Sequence, residues 1–499
     1  MALGRAYSVA VKAVTGQTVE IEADISAGLP GVHLVGLPDA ALQESRDRVR
    51  AAITNCGFTW PSSRLTLALS PATLPKMGSV YDLALATAVL SAGNAIPPTR
   101  LEKSLLLGEL ALDGRVRPIR GVLPAVLAAK RDGWPTVVVP EANLGEAGLV
   151  DGIEVLGART LRQLTGWLCA DGELEPVRPL DVPCKSDMPD MADVVGHADA
   201  RFAVEVAAAG AHHLMLTGPP GIGKTMLAQR LPGLLPPLTD SEALEVTAIH
   251  SVAGLLTTQQ PLITQPPFVA PHHTSSVAAL VGGGSGIAKP GAVSRAHRGV
   301  LFLDECAELS TPALEALRTP LEDGEIRLAR RDGVVVYPAR FQLVLAANPC
   351  PCAPANPRDC TCPAPVRRRY LGKLSGPLLD RVDLRVKMHP VSQSALSEAA
   401  EGTVLVRERV LLARERAAQR WSAYGFRVNA DAPGPLLRKE FRPSRTVMEP
   451  LRNAMERGLI SVRALDRCLR VAWTLADLGG RDFPGTEDVK LALTFRDKR

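Results

Sequence analysis

The chain contains no uninterrupted apolar run approaching the ~18 residues that a membrane-spanning helix requires, so a helical membrane anchor is excluded. Aromatic residues make up only 4%, and no aromatic stripe is visible on which bases could stack. Sequence-specific reading of nucleic acid therefore has no support. Charge of one sign is not in large excess either. With 57 Lys+Arg against 52 Asp+Glu the net charge is +5, which permits a nucleic-acid partner but does not demand one. The opening MALGRAYSVAVKAV carries Lys12 and no long apolar core, so no secretory leader is predicted. Nine cysteines in 499 residues, without such a leader, point to a reducing compartment, and a cytoplasmic location is expected. Hydrophobic residues at 46% exclude global disorder, and no repeat of fixed period is present.

What is present divides into four stretches. Residues 1–170 mix alternating β patterns (8–14, 18–25 and 65–69) with an amphipathic helix over 39–56 and a buried helix over 81–90. Residues 171–191, DGELEPVRPLDVPCKSDMPDM, hold four prolines and little apolar material, and read as a linker. Residues 192–390 form a second β/α region. From 391 to 499 the pattern is helical. The basic charge sits at this end: residues 401–499 hold 20 Lys+Arg against 13 Asp+Glu.

One motif carries chemistry. The apolar strand LMLT runs into GPPGIGKT, residues 218–225, and then into a helix beginning Met226. This is G-x-x-x-x-G-K-[ST] between strand and helix, the context it needs. Glycines in such a loop let backbone N–H groups converge on phosphate oxygens, and the helix N-terminus adds positive potential. Gly218, Pro219, Pro220, Gly221, Ile222 and Gly223 would form the cradle. Lys224 can reach the terminal phosphates, and the Thr225 hydroxyl can ligate Mg²⁺.

Such a cradle needs acids. The apolar strand GVLFL, residues 299–303, ends in Asp304 and Glu305. Asp304 would hold Mg²⁺ through water, and Glu305 would orient and deprotonate the attacking water, which points to a hydrolase rather than a kinase. A third strand, 342–347, ends at Asn348, placed to touch the γ-phosphate or the water. Arg381 lies between a short helix and a strand-like 384–386, where a guanidinium could stabilise a transferring phosphoryl group. Arg463 opens a strongly amphipathic helix over 461–478.

This ordered series (218–225, 301–305, Asn348, Arg381, Arg463) resembles the AAA+ ATPases, and more narrowly their magnesium-chelatase-subunit-I-like branch. The resemblance implies an α/β P-loop core with a C-terminal helical lid, ATP and Mg²⁺ as cofactors, and a nucleotide-dependent homo-hexameric ring. In it Asn348 is sensor 1, Arg381 a trans-acting arginine finger and Arg463 sensor 2, while Val195 and Gly196 match the segment that lines the adenine pocket. Residues 1–170 look like the α+β proteolytic domain of Lon-type proteases, on the stretches LPKMGSVYDLALATAVL and LGELALDGRVRPIRGVLPAVLAAKRDG. Laid on that pattern, Val80 stands where the nucleophilic serine belongs and Leu123 where the lysine belongs. Ser79 is one position off. Neither Val80 nor Leu123 can act as nucleophile or base, so a degenerate, non-proteolytic domain is expected. A degenerate Lon-like domain joined to a chelatase-type core is the arrangement of the ComM/YifB family. That resemblance implies a DNA branch-migration helicase serving natural transformation, with branched or single-stranded DNA as partner. The alternative is an ATP-driven remodeller of a protein or chelatase complex with no DNA role.

Two insertions offer DNA contacts. Residues 271–297 form a glycine-rich loop with one central cation, Lys289. Residues 325–340 read as a hairpin with Arg330, Arg331 and a D-G turn at its tip, suited to non-specific phosphate contact. His272 and His273 read as hydrogen-bonding loop residues rather than metal ligands. Finally, Cys350, Cys352, Cys360 and Cys362 form C-x-C, seven residues, C-x-C. Four thiolates so close can hold a tetrahedral Zn²⁺, although the one-residue spacing is tighter than the usual two.

Overall fold

The computed structural model describes residues 2–36, 40–76, 78–178, 188–284, 288–330, 333–354, 359–391 and 400–496. It is a mixed α/β molecule with two principal sheets and a helical C-terminal region.

The N-terminal sheet has eight strands. The hairpin Ala2–Lys12 and Thr15–Ser26 is antiparallel in register from Ala2 opposite Ile25 to Lys12 opposite Thr15. Strand Thr15–Ser26 alternates strictly, with Val19, Ile21 and Ala23 buried and polar residues between them. The first strand begins six residues earlier than the alternation at 8–14 predicts. Its inward positions there are Gly4 and Ala6, too small to register as an apolar stripe. They are small for a reason: a Cβ on Gly4 would collide with Ala88 of the helix Asp82–Ala92. Every residue of that helix is buried. Its one charge, Asp82, is bound by Arg48 Nε at 2.9 Å and by the Leu110 amide, which offsets the cost of burying it.

The second sheet has five strands in the order Phe268–Val269, Val300–Leu303, Gln342–Ala347, Leu214–Thr217, Leu384–Lys387, all parallel. VLFL and QLVLAA are buried at every position, as expected of strands covered on both faces. Parallel direction puts the carboxyl ends of four of these strands along one edge: Thr217, Leu303, Ala347 and Lys387. Ligands bind at that edge in open α/β sheets.

Helices Thr403–Trp421, Val462–Leu478 and Thr486–Thr494 pack with the core helix Ala198–Gly210 in one continuous apolar cluster. Trp421, Phe441 and Trp473 meet edge to face within it. The core also leans on the N-terminal sheet. Leu244 and Ala248 of helix Asp240–Ala253 join an apolar cluster with Val122, Leu123 and Val126 of helix Val122–Arg131. No helix among the described residues is long and apolar enough to cross a membrane.

Candidate active site

The loop after strand Leu214–Thr217 reverses tightly. Gly221 and Gly223 adopt φ of +73° and +96°, a region where a side chain is strained, and Gly223 leads directly into helix Lys224–Leu234. Lys224 folds back over the loop. Its ammonium donates to the carbonyls of Gly218 at 2.7 Å and Pro219 at 2.8 Å, and to Asn348 Oδ1 at 3.0 Å. The residue is only 7% exposed. Burial lowers the Lys224 pKa from its ordinary value, while the charges of Asp304 and Glu305 oppose that fall. Lys224, Asn348 and the two acids are therefore one electrostatic unit, assembled from three neighbouring strands.

Thr225 sits one step along the helix, and its hydroxyl donates to Asp304 Oδ2 at 2.7 Å. A hydroxyl and a carboxylate oxygen so paired are the donor set that an octahedral Mg²⁺ takes beside phosphate. The other Asp304 oxygen accepts the Glu305 amide at 2.9 Å. This bond accompanies an uncommon backbone: Glu305 has φ of +47°. The turn presents the Glu305 carboxylate half-exposed, and His273 Nδ1 meets its Oε2 at 3.0 Å. His272 stacks on His273 with centroids 4.2 Å apart and bonds Thr274 at 2.8 Å. The His273 contact escaped the sequence reading. Residues 273 and 305 come together because strand Phe268–Val269 pairs with Val300–Leu303, and a two-residue strand leaves no periodic signal.

In the segment before helix Ala198–Gly210, Val195 is half-buried. Gly196 has φ of +71°, and its missing Cβ leaves room for Val391. Burial lowers the His197 pKa, partly offset by a hydrogen bond to the Ile222 backbone, so this segment adjoins the loop. Met226 is half-buried and packs against the core cluster. Arg230 clamps the segment through Asp193 Oδ2 at 2.7 Å.

The arginines lie apart from this unit. Arg381 is nearly buried, donating to Pro377 O at 2.6 Å and to Glu322. Its bonds are not directed at its own chain's cradle. Arg463 is exposed and has no side-chain hydrogen bond among the described residues. One turn further along, Arg467 binds buried Asp383 at 2.6 Å and ties the C-terminal helices to the end of the sheet.

Lys289 is exposed in a two-strand ribbon, pairing with Gly283. The hairpin Glu325–Arg330 and Gly333–Pro338 exists with Arg330 opposite Gly333. Arg331 and the Arg330 side chain lie outside the described residues. The hairpin does not stand free. Val335 and Tyr337 are buried with Ala13 and Ala288, and the Tyr337 hydroxyl donates to Ala288 O at 2.6 Å. This region of the core thus rests on the turn of the N-terminal hairpin.

In the N-terminal sheet, Val80 is half-buried and Leu123 fully buried. Ser79 Oγ donates to Glu109, while Lys76 Nζ donates to Leu69 O at 2.9 Å and to Pro71 O. A cavity of about 510 Å³ lies between Ser79, Glu109, Arg120 and the core's Ala288 and Val335. The four cysteine sulfurs of the loop beyond Asn348 all lie within 4.8 Å of one another.

Three segments match known families: residues 190–396 match "Magnesium chelatase, subunit ChlI", residues 21–143 match "Subunit ChlI of Mg-chelatase", and residues 400–496 match "Magnesium chelatase, subunit ChlI C-terminal". An uncharacterized protein of Mycobacterium tuberculosis is 74% identical over 498 residues, spanning 99% of both chains. Competence protein ComM of Haemophilus influenzae is 40% identical over 509 residues, 99% of this chain and 98% of its own. The uncharacterized protein YifB of Escherichia coli is 38% identical over 499 residues, 99% of this chain and 97% of its own. A Lon protease of Trichlorobacter lovleyi is 30% identical over 149 residues, 28% of this chain and 18% of that protein.

Proposed function

Because the chain belongs to the ComM/YifB family of magnesium-chelatase-like AAA+ proteins, a membership that implies ATPase activity, we propose that it is an ATP-hydrolysing ring motor that acts on DNA by branch migration. The observation that carries the reading is the convergence of Lys224, Thr225, Asp304, Glu305 and Asn348 at one sheet edge through direct hydrogen bonds. Thr225 and Asp304 would hold Mg²⁺, which would neutralise the phosphate oxygens of ATP bound there. The main-chain amides of Gly221, Ile222, Gly223 and Lys224 would hold the polyphosphate, and the Lys224 ammonium would balance its charge. Glu305 takes the proton from the attacking water, and Asn348 orients that water or the γ-phosphate.

On the family resemblance Arg381 would serve the phosphoryl group of a neighbouring protomer; in this chain its guanidinium is held by Pro377 O and Glu322, bonds it would exchange for that contact. A homo-hexamer closes such heterologous contacts without leaving an open end. The DNA reading draws on the competence protein's name and on the excess of basic residues over 401–499. Contact through Lys289, Arg330 and Arg331 would be to the backbone, independent of sequence and weakened by salt. The test is phosphate release with and without branched or single-stranded DNA, alongside sizing with ATP. Stimulation by DNA together with ATP-dependent assembly is expected. Brisk hydrolysis that no DNA changes would replace this reading with the protein remodeller.

A further inference from the structure

Among its described residues, the chain between Asn348 and the helix Ala364–Gly372 forms little secondary structure. Pro351, Pro354 and Pro363 deny it backbone donors, and no strand or helix longer than a turn forms there among the described residues. Both of its ends matter. Asn348 bonds Lys224, and the buried Tyr370 hydrogen-bonds Glu308, three residues beyond the catalytic acid.

The same stretch brings four sulfurs together. Cys350 Sγ lies 3.3 Å from Cys352 Sγ and 3.5 Å from Cys360 Sγ, and Cys352 Sγ lies 3.6 Å from Cys360 Sγ. With Cys362 all four fall within 4.8 Å. A tetrahedron with Zn–S bonds of about 2.3 Å has S···S edges of about 3.8 Å, so the spacing suits one small ion at the centre. No disulfide joins any pair. Among the described residues neither imidazole nor carboxylate joins the group, and an all-thiolate tetrahedron selects a soft or borderline d¹⁰ ion over Mg²⁺. A closed set of four protein ligands leaves no open position for substrate, which makes the site structural.

We propose that Cys350, Cys352, Cys360 and Cys362 bind one Zn²⁺, and that this ion pins the loop so that Asn348 and the Tyr370 helix are held on the catalytic edge of the sheet. The metal contributes the order that the apolar content of the loop cannot.

The full-length chain, purified without chelator or added metal, should contain about one zinc per chain by elemental analysis. Exchange with Co²⁺ should give the intense visible and near-ultraviolet bands of a tetrathiolate site. Cys352→Ser and Cys362→Ser should each lower the zinc content at least fivefold, while Cys169→Ser, an exposed cysteine elsewhere, should leave it unchanged. Trypsin supplies a second readout, since Arg367, Arg368 and Arg369 are exposed in the middle of the helix. Cleavage there should accelerate several-fold in the variants and on zinc removal. Four freely titrating thiols with no metal, a disulfide, or iron in place of zinc would each overturn the proposal. Metal content is read without ATP or DNA, so a zinc-loaded chain that ignores DNA would sink the motor reading alone. A metal-free chain stimulated by DNA would sink only this one.

Discussion

An all-parallel sheet and a mixed one serve this molecule differently. At the edge of the five-stranded sheet Lys224 bonds Asn348, Thr225 bonds Asp304, Asp304 accepts the Glu305 amide, and the Glu305 carboxylate meets His273. Beside the eight-stranded sheet, the resemblance to Lon-type proteases lays Val80 and Leu123 on the serine and lysine positions of that pattern. Those replacements are not neutral fillers. Leu123 is completely buried in the cluster that includes Ala248 of the nucleotide-binding half, and burying such a side chain contributes roughly 1.5–3 kcal/mol. A lysine there would have to shed its hydration. At Leu123 the N-terminal half contributes packing against the second half, where the five-stranded sheet's edge instead gathers polar groups.

The largest effect that would sharpen this contrast comes from Glu305. In Glu305→Gln the amide cannot accept the water proton, so turnover should fall by about 10²–10⁴. Retention of labelled ATP and assembly should persist, because the cradle and Lys224 are untouched. Phosphate release measured beside nucleotide retention separates the two. Hydrolysis at the parental rate would remove the reactive role from that sheet edge.

A smaller, opposite effect is expected at His273. Its Nδ1–H occupies an oxygen of Glu305 that a water would otherwise use. His273→Ala should therefore raise DNA-free turnover about fivefold, the rate equivalent of one net hydrogen bond of about 1 kcal/mol. A drop in turnover would instead make His273 a positioning group for the base.

The contact between the two halves has its own signature. Glu146 is buried in the N-terminal half and accepts from the Leu123 amide at 2.8 Å and from Ser251 of the core. Burial raises its pKa above the ordinary carboxyl value, outweighing the hydrogen bonds that favour the charged form. The folded chain thus holds this proton more tightly than the unfolded one. The resulting stability is present at low pH and declines as pH rises from the unfolded pKa, about 4.3, through the raised folded value. Glu146→Gln keeps an acceptor and removes the charge. It should flatten that decline and add roughly 0.5–1 kcal/mol at pH 8, read by thermal melting across pH. A variant less stable than the parent at pH 8 would mean that the carboxylate is a net asset.

The nucleotide edge was legible in sequence because fully buried parallel strands read as short apolar runs, and each run ends at its polar residue. Local context also exposed the hairpin at 325–338 and the long buried helix at 82–92. The sequence could not reveal what depends on pairing between distant strands: His273 against Glu305, Arg381 against Glu322, or the hairpin's Val335 and Tyr337 settling beside Ala13. Small residues hid the start of the first strand, since Gly4 and Ala6 carry the inward face without an apolar signal.

The smallest expected effect tests the other half of the comparison. Ser79 lines the cavity beside the N-terminal sheet, one residue before Val80. Its oxygen donates to Glu109, while Lys76 spends its ammonium on the carbonyls of Leu69 and Pro71. A nucleophilic serine needs a base that takes its proton and a partner that orients the base. Here the lysine is occupied by main-chain oxygens, and burial lowers its pKa with no partner group to direct it at Ser79. Ser79→Ala should therefore leave ATP turnover unchanged, cost at most about 1 kcal/mol of stability, and leave casein digestion at the background shown by the parent. Peptidase activity in the parent that disappears with this hydroxyl would return chemistry to the sheet that otherwise contributes only packing.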